Sequence, residues 1–498
     1  MAVAENFVEP PDIAAAPHDF AEIKPSVPIK AVYAFGQAVE SGYLVVASFV
    51  FFYYTAVLGL SGSVVGAALG VSMCLDAFID PIVGSISDNA RSRFGRRLPF
   101  MVIAAPLVGL ALWMLFSPPL GLQPLLLFTW LVVSKISLRG VASLFNLPYA
   151  ALGAEMANGY GERASVVAYR GFFGVLLSFL IITLAFSLFF AGNGGLQVRE
   201  RYPAFGAAMG LLLFICALIC CLGVWRYARQ LPQPTSRPAP LLTGIFRELS
   251  EVFRNASFRS LFASALLFWV GAGINGALNN HAYIFVWRLQ PPQIQFVSIS
   301  FYAAIMAGVP LARLLLTRVE KKTACILGLA IVIASMTVVH GLRALGVIAP
   351  TGDAAMWMLI VNVAFGGLGL SALVVGYPAM MADAADEHEA LFGARREGLY
   401  FAGLGFAAKA AAGIGQMAAG FALDALHFPK MAGTTIGARV PEQVLRLLIL
   451  AWGPLAAIFC LGAALSLLAY GVTRARHIKI AEQLRLKRAA ELSAEHMT

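Results

Sequence analysis

The chain has 498 residues, of which 59% are hydrophobic and only 12% charged, with a mean hydropathy of +0.78. Soluble domains carry roughly 25% charged residues, so these totals exclude an ordinary soluble enzyme or binding module. The net charge of +10 does not indicate nucleic acid, because no stretch interleaves basic and aromatic residues as single-strand binders do; basic loops on one side of a membrane account for it.

Residues 1–29 are acidic and rich in alanine and proline, lack the apolar core of a cleavable signal and read as a cytoplasmic tail. A spanning helix needs about 20 apolar residues. Neither Ser41–Leu75 nor Leu98–Ser134 contains any Asp, Glu, Lys or Arg, so each holds more than one pass. The first span runs from about Ala31 to Leu58, and GLSGS separates it from a second that reaches Asp88. The block Leu98–Leu152 folds at SPPLGLQ into a third and fourth, and a fifth and sixth cover about 164–191 and 203–225. The polar stretch 226–257 follows, then six more spans at 258–288, 294–318, 323–345, 354–383, 398–426 and 443–473. The tail from 474 to 498 is charged and helix-prone.

The expected fold is therefore an all-α membrane protein of about twelve helices. Its organisation would be a tail (1–30), a six-helix bundle (31–225), a middle loop (226–257), a second bundle (258–473) and a tail (474–498). Two blocks of six fit the major facilitator architecture, with a site at the midplane between parallel halves. Lys and Arg gather in loops 89–97, 226–257, 318–322 and 395–396 and in the final tail, whereas 59–63 and 117–123 have none. The positive-inside rule then puts both termini in the cytoplasm of a plasma or inner membrane. Six cysteines, Cys74, Cys216, Cys220, Cys221, Cys325 and Cys460, lie in apolar spans and read as packing residues.

Charges within the spans are the candidate functional groups, since a buried charge is costly and tends to mark a pathway. Asp76 and Asp80, at i and i+4, share a helix face, and Pro81 leaves a carbonyl upstream without its usual donor. Glu40 precedes the charge-free run of the first span; ten residues after Lys30, it could also be a helix-end residue. Lys409, in FAAKAAAG, needs a partner to stay charged. Asp76 and Asp80 of the opposite half are the candidates, and the alternative is a lysine that snorkels to the interface. Arg170 suits bidentate bonding to a polyol or a membrane-edge anchor. Asn146 and Tyr149 flank Pro148, where loosened backbone bonding favours polar lining. Asn275, Asn279, Asn280, His281 and Tyr283 of the seventh span could bind substrate or join helices, and Trp269 and Trp287 suit belt or packing roles. Asp88, Arg91, Arg93, Arg96, Arg97, Arg395 and the acidic run Asp383, Asp386, Glu387, Glu389 suit cytoplasmic gating bridges between halves. The GxG patterns lie in apolar spans without a strand before them, and no GKS/T, HExxH or GxSxG occurs, so no catalytic residue is expected.

DAFIDPIVGSISDNARSRFGRR resembles the second-helix and first-loop motif of the glycoside–pentoside–hexuronide:cation symporters, the melibiose permease family. FNLPYAALGAEM with ERASVVAYR is similar to that family's fourth and fifth helices, and MMADAADEHEALFGARREGLYFAGLGFAAK to its tenth and eleventh. The resemblance, over about residues 31–473, implies cation-coupled symport of a sugar or glycoside by alternating access. It implies a cation site at Asp76, Asp80, Ser143 and Asn146, with H+ or Na+ as coupling ion and no other cofactor. It also matches Glu40, Arg170 and Lys409 to the family's sugar-site residues, and with Asn146, Tyr149, Asn279 and His281, chosen on their own chemistry, these form the expected substrate set. Two departures stand out: Asn146 replaces a carboxylate, and Ala150 replaces a tryptophan that stacks on sugar. The expected partners are a small solute, the cation and the bilayer, the protein being a monomer that binds no nucleic acid. The alternatives are a carrier of lysophospholipids or other amphipathic solutes, and a non-transporting sugar sensor.

Overall fold

The computed structural model describes residues 25–495 except 91, 93, 158–159, 193, 230–249, 394–395 and 431–439. Most of the two expected tails' neighbouring loop 226–257 and residues 1–24 thus lie outside the described residues. Among the described residues, eleven helices are long and apolar enough to cross a membrane. They are α1 (Val27–Val57), α3 (Leu98–Phe116), α4 (Pro124–Glu155), α5 (Gly161–Phe189), α6 (Arg201–Ala228), α7 (Ala256–Val286), α8 (Pro291–Arg318), α9 (Lys321–Ala344), α10 (Gly352–Phe392), α11 (Glu397–Ala425) and α12 (Glu442–Leu468). The twelfth, α2 (Gly62–Asn89), is 28 residues long and carries the two aspartates, Asp76 and Asp80, in its second half. A last helix, α13 (Arg474–Glu495), follows. The chain is thus an all-α, multi-pass membrane protein.

Helix starts obey local chemistry. Proline occupies the first turn of α3, α4 and α8, where its missing N–H costs nothing. Asn255 caps α7 by accepting from the Phe258 amide at 3.0 Å. Helix α10 runs beyond the expected end at 383 because its acidic turn finds cations: Asp383 bonds Lys321 at 2.6 Å and Glu387 bonds Arg476 at 2.6 Å. It stops at Gly393, whose φ of +77° is a left-handed conformation that suits glycine. Four helices change to a wider i→i+5 bonding turn: Tyr53–Val57 in α1, Ala185–Phe189 in α5, Ala282–Val286 in α7 and Ala451–Leu455 in α12. The five described cysteines are buried and free; the Cys74 side chain lies outside the described residues.

Helices α1–α6 pack on one another, as do α7–α12, and the two sets meet through α2 on α11, α1 on α7 and α5 on α8. The closest approach is between α2 and α11, where small residues let backbones touch. A Cβ added to Gly420 would lie 2.1 Å from the Gly62 carbonyl, and one on Gly66 would lie 2.7 Å from that of Gln416. Asp424 of α11 also accepts from the Gly62 and Ser63 amides, both at 2.8 Å, capping the start of α2 from the other half. Further along, the helices part: nothing lies within 4 Å of a Cβ on Gly84 or Gly405. The halves therefore close at the end bearing the α1–α2 and α11–α12 connections and splay toward the other.

Candidate functional site

Between the closed end and the splayed end, α2 presents Asp76 and Asp80 one turn apart. Asp76 is fully buried. Its Oδ1 accepts from Ser143 Oγ of α4 at 3.1 Å, and its Oδ2 accepts from Arg139 Nη2, also of α4. Lys409 reaches across from α11: its Nζ lies 2.9 Å from Asp76 Oδ2 and donates to Asp80 Oδ2. Two carboxylates and two cations thus close a four-membered charge cluster that joins the halves. Burying these charges is tolerable only because each faces an opposite partner. Three of the four carboxylate oxygens are bonded in this way; Asp80 Oδ1 is buried and without a partner.

One face of α4 runs from this cluster toward α1 and α5. Lys135, Arg139, Ser143 and Asn146 succeed one another at intervals of four, four and three residues, which aligns them on one helical stripe. Tyr43 of α1 sits under the first two, with Lys135 Nζ 4.8 Å and the Arg139 guanidinium 5.0 Å from its ring centre. Such cation–ring contacts ease the burial of both bases. Among the described residues Lys135 has no carboxylate within ion-pair distance. Asn146 Nδ2 donates to Glu40 Oε2 at 2.6 Å. One turn before Glu40, Gln37 Oε1 accepts two bonds from Arg170 of α5, at 3.1 and 3.0 Å. The Arg170 guanidinium lies 4.8 Å over the Tyr149 ring, which stacks in turn on Tyr33 at 4.5 Å. The result is a half-buried polar surface, Gln37, Glu40, Asn146 and Arg170, next to the charge cluster.

The structure gathers Asp76, Asp80, Ser143 and Lys409 as the sequence suggests. Asn146 joins Glu40 instead of the aspartates. Tyr149 is buried, with its ring serving as the base under Arg170. The α7 residues fall elsewhere. Asn279 accepts from Trp452 Nε1 at 2.6 Å and Asn275 donates to the Trp452 carbonyl at 3.0 Å, both within one half. Asn280 donates to the Ser48 carbonyl at 3.1 Å, and His281 Nε2 meets Thr55 Oγ1 at 2.9 Å. His281 is fully buried among Phe51, Phe52 and Phe428. These contacts fasten α7 to α12 and to α1. Trp287 is buried while Trp269 is partly exposed.

Among the described residues, two sets of loop charges pair within halves. Arg96 and Arg97 both hold Glu155, and Arg97 also donates to Ser87 at 2.7 Å. Asp383 holds Lys321 and lies 3.5 Å from His477. Arg91, Arg93, Arg395 and the Asp88 side chain lie outside the described residues. Three residues escaped the sequence reading: Gln37, Lys135 and Arg139. The signal for the last two was present, as two bases spaced i, i+4 directly after a charge-free run, in line with Ser143.

A family described as MFS/sugar transport protein matches residues 33–474. The chain belongs to that family. An uncharacterised symporter of Synechocystis sp. is 24% identical, covering 91% of this chain and 95% of its own length. The isoprimeverose transporter of Lactiplantibacillus pentosus is 23% identical over 78% of each chain, and the putative glycoside/cation symporter YagG of Escherichia coli is 25% identical over 88% and 90%. These relatives bear out the resemblance to the glycoside–pentoside–hexuronide:cation symporters. Among solved structures, the nucleoside transporter NupG superposes with a TM-score of 0.59 at 13% identity, covering 90% of this chain and 98% of that one. A bacterial homologue of the human lysosomal transporter Spinster, in an inward-facing and unoccupied conformation, gives 0.58 at 12% identity, covering 89% and 95%. Both share the fold. Members of the family and the relatives named here are transporters, not enzymes.

Proposed function

We propose that this family member is a secondary active transporter that moves a sugar or glycoside together with a cation by alternating access. The observation that carries the reading is the Lys409 bridge to Asp76 and Asp80. It joins the two halves through buried charge, beside a surface of hydrogen-bonding groups suited to hydroxyls. Gln37 and Glu40 offer acceptors and Arg170 and Asn146 offer donors, the set a polyol needs. Neutralising either aspartate weakens its hold on Lys409 and loosens the bond between halves. A bare charge in an occluded, water-poor site is costly, which favours rocking only when the cluster is balanced. With both termini in the cytoplasm, the closed end faces outward and the site opens inward. The strongly polar surface favours a sugar over a lysophospholipid, whose chain needs apolar walls.

Solute counterflow tests the substrate class without any ion gradient. Proteoliposomes preloaded with each of a panel of mono- and disaccharides are diluted into the same labelled sugar. One sugar is expected to show a transient overshoot that Arg170→Ala abolishes. Exchange of no sugar, with exchange of a lysophospholipid instead, would overturn the sugar reading.

A further inference from the structure

The family resemblance implies Na+ as a candidate ligand of Asp76 and Asp80, but the groups around them do not fit it. Alkali and other hard cations are held by oxygen atoms free to face them. Here Asp76 Oδ2 is shared by Arg139 and Lys409, Asp76 Oδ1 is bonded to Ser143, and Asp80 Oδ2 is bonded to Lys409. Only Asp80 Oδ1 is without a partner. The charge balance points the same way. The two aspartates are already matched by two permanent side-chain cations, so an added Na+ would bring an unmatched charge into a buried site. The nearest further charges are Lys135, buried against Tyr43, and Glu40, which Asn146 holds at 2.6 Å.

We infer that Arg139 is a tethered replacement for a metal cation: its guanidinium holds the position beside Asp76 and shuts Na+ out of the site. Lys409 arrives from the other half and can leave when the halves rock. Arg139 stands on α4, in the same half as Asp76, and its side chain is 8% exposed, so no such movement frees the carboxylate. Removing this one guanidinium leaves two carboxylates facing one lysine, a deficit of one charge that a monovalent ion would fill. Arg139 is thus a specificity-determining residue, and the inference rests on the cation-coupled reading of the site.

The test is radiosodium binding to the purified full-length protein in detergent, alongside the melting midpoint in NaCl and in choline chloride. The wild type is expected to bind no radiosodium saturably and to melt at the same temperature in both salts. Arg139→Ala and the bulkier, neutral Arg139→Gln are expected to bind radiosodium saturably. Both should melt higher in NaCl, because a ligand that binds only the folded state raises the midpoint. Arg139→Lys, which keeps the charge, is expected to stay blind to Na+. Saturable, millimolar Na+ binding by the wild type would overturn the inference. So would a folded Arg139→Gln that remains blind. Sugar counterflow in sodium-free buffer separates this result from the transport reading: its absence sinks that reading, whatever Na+ does.

Discussion

Substituting Gly420 by alanine tests whether the α2–α11 contact sets the balance between the closed and open forms of that end. The added methyl would sit 2.1 Å from the Gly62 carbonyl and 3.2 Å from Gly66 Cα. Both are backbone atoms that no rotamer change can move, so the helices must separate. Overpacking of this kind costs about 1–3 kcal/mol, which shifts a two-state equilibrium by a factor of roughly 5 to 150. Spin labels at Leu120 and Leu345, both exposed, sit on opposite halves in the α3–α4 and α9–α10 connections. Double electron–electron resonance between them should report one short distance in the wild type and a growing longer population in Gly420→Ala. Gly140→Ala is the matched control, since nothing lies within 4 Å of its added Cβ. A helix-interior alanine there should stabilise by about 0.5–1 kcal/mol without changing the distances. Unchanged distances and an unchanged melting midpoint in Gly420→Ala would refute the close-packed contact as the device that shuts this end.

The other expectations follow from single contacts. Asp424→Ala removes the cap that α11 places on α2, and should cost about 0.5–2 kcal/mol in thermal unfolding while moving the same label pair outward. Lys409→Met leaves Asp80 without the cation bonded to it among the described residues and Asp76 with Arg139. Breaking a buried pair costs roughly 3–5 kcal/mol, and solvent contact at Asp80 keeps the loss toward the lower figure. The melting midpoint should therefore fall, and Lys409→Arg should recover most of it. Arg170→Ala should weaken binding of the exchanged sugar roughly ten- to hundredfold in calorimetry, since hydrogen bonds to a charged group are worth about 1.5–3 kcal/mol, while its melting midpoint shifts little.

Much of the fold was legible because the bilayer leaves few alternatives to long apolar helices. The expected spans agree with α1–α12 to within a few residues, save where α10 runs nine residues further. There the acidic run looked like a loop, and only the tertiary pairing with Lys321 and Arg476 shows why it stays helical. Asp76, Asp80 and Lys409 were legible for an energetic reason, the cost of charge at depth, which also predicts that they find one another. Arg139 was not read, although the same cost applies to it, because its partner depends on how α4 rotates against α2. On α7 the consecutive Asn279, Asn280 and His281 point about 100° apart, so one serves α12 and two serve α1. No periodicity in the letters tells which. The wide turns that end α1, α5 and α7 and interrupt α12 have no residue signature either.

Gradient-driven accumulation is the most direct measurement of the central claim. Proteoliposomes bearing the wild type, Asp76→Asn or Asp80→Asn would take up the sugar selected by counterflow, under an imposed proton gradient and then a sodium gradient. Uptake above equilibrium in the wild type under one gradient, lost in both variants, is the expected result. Wild-type protein that exchanges the sugar but never concentrates it under either gradient would contradict cation-coupled transport through Asp76 and Asp80.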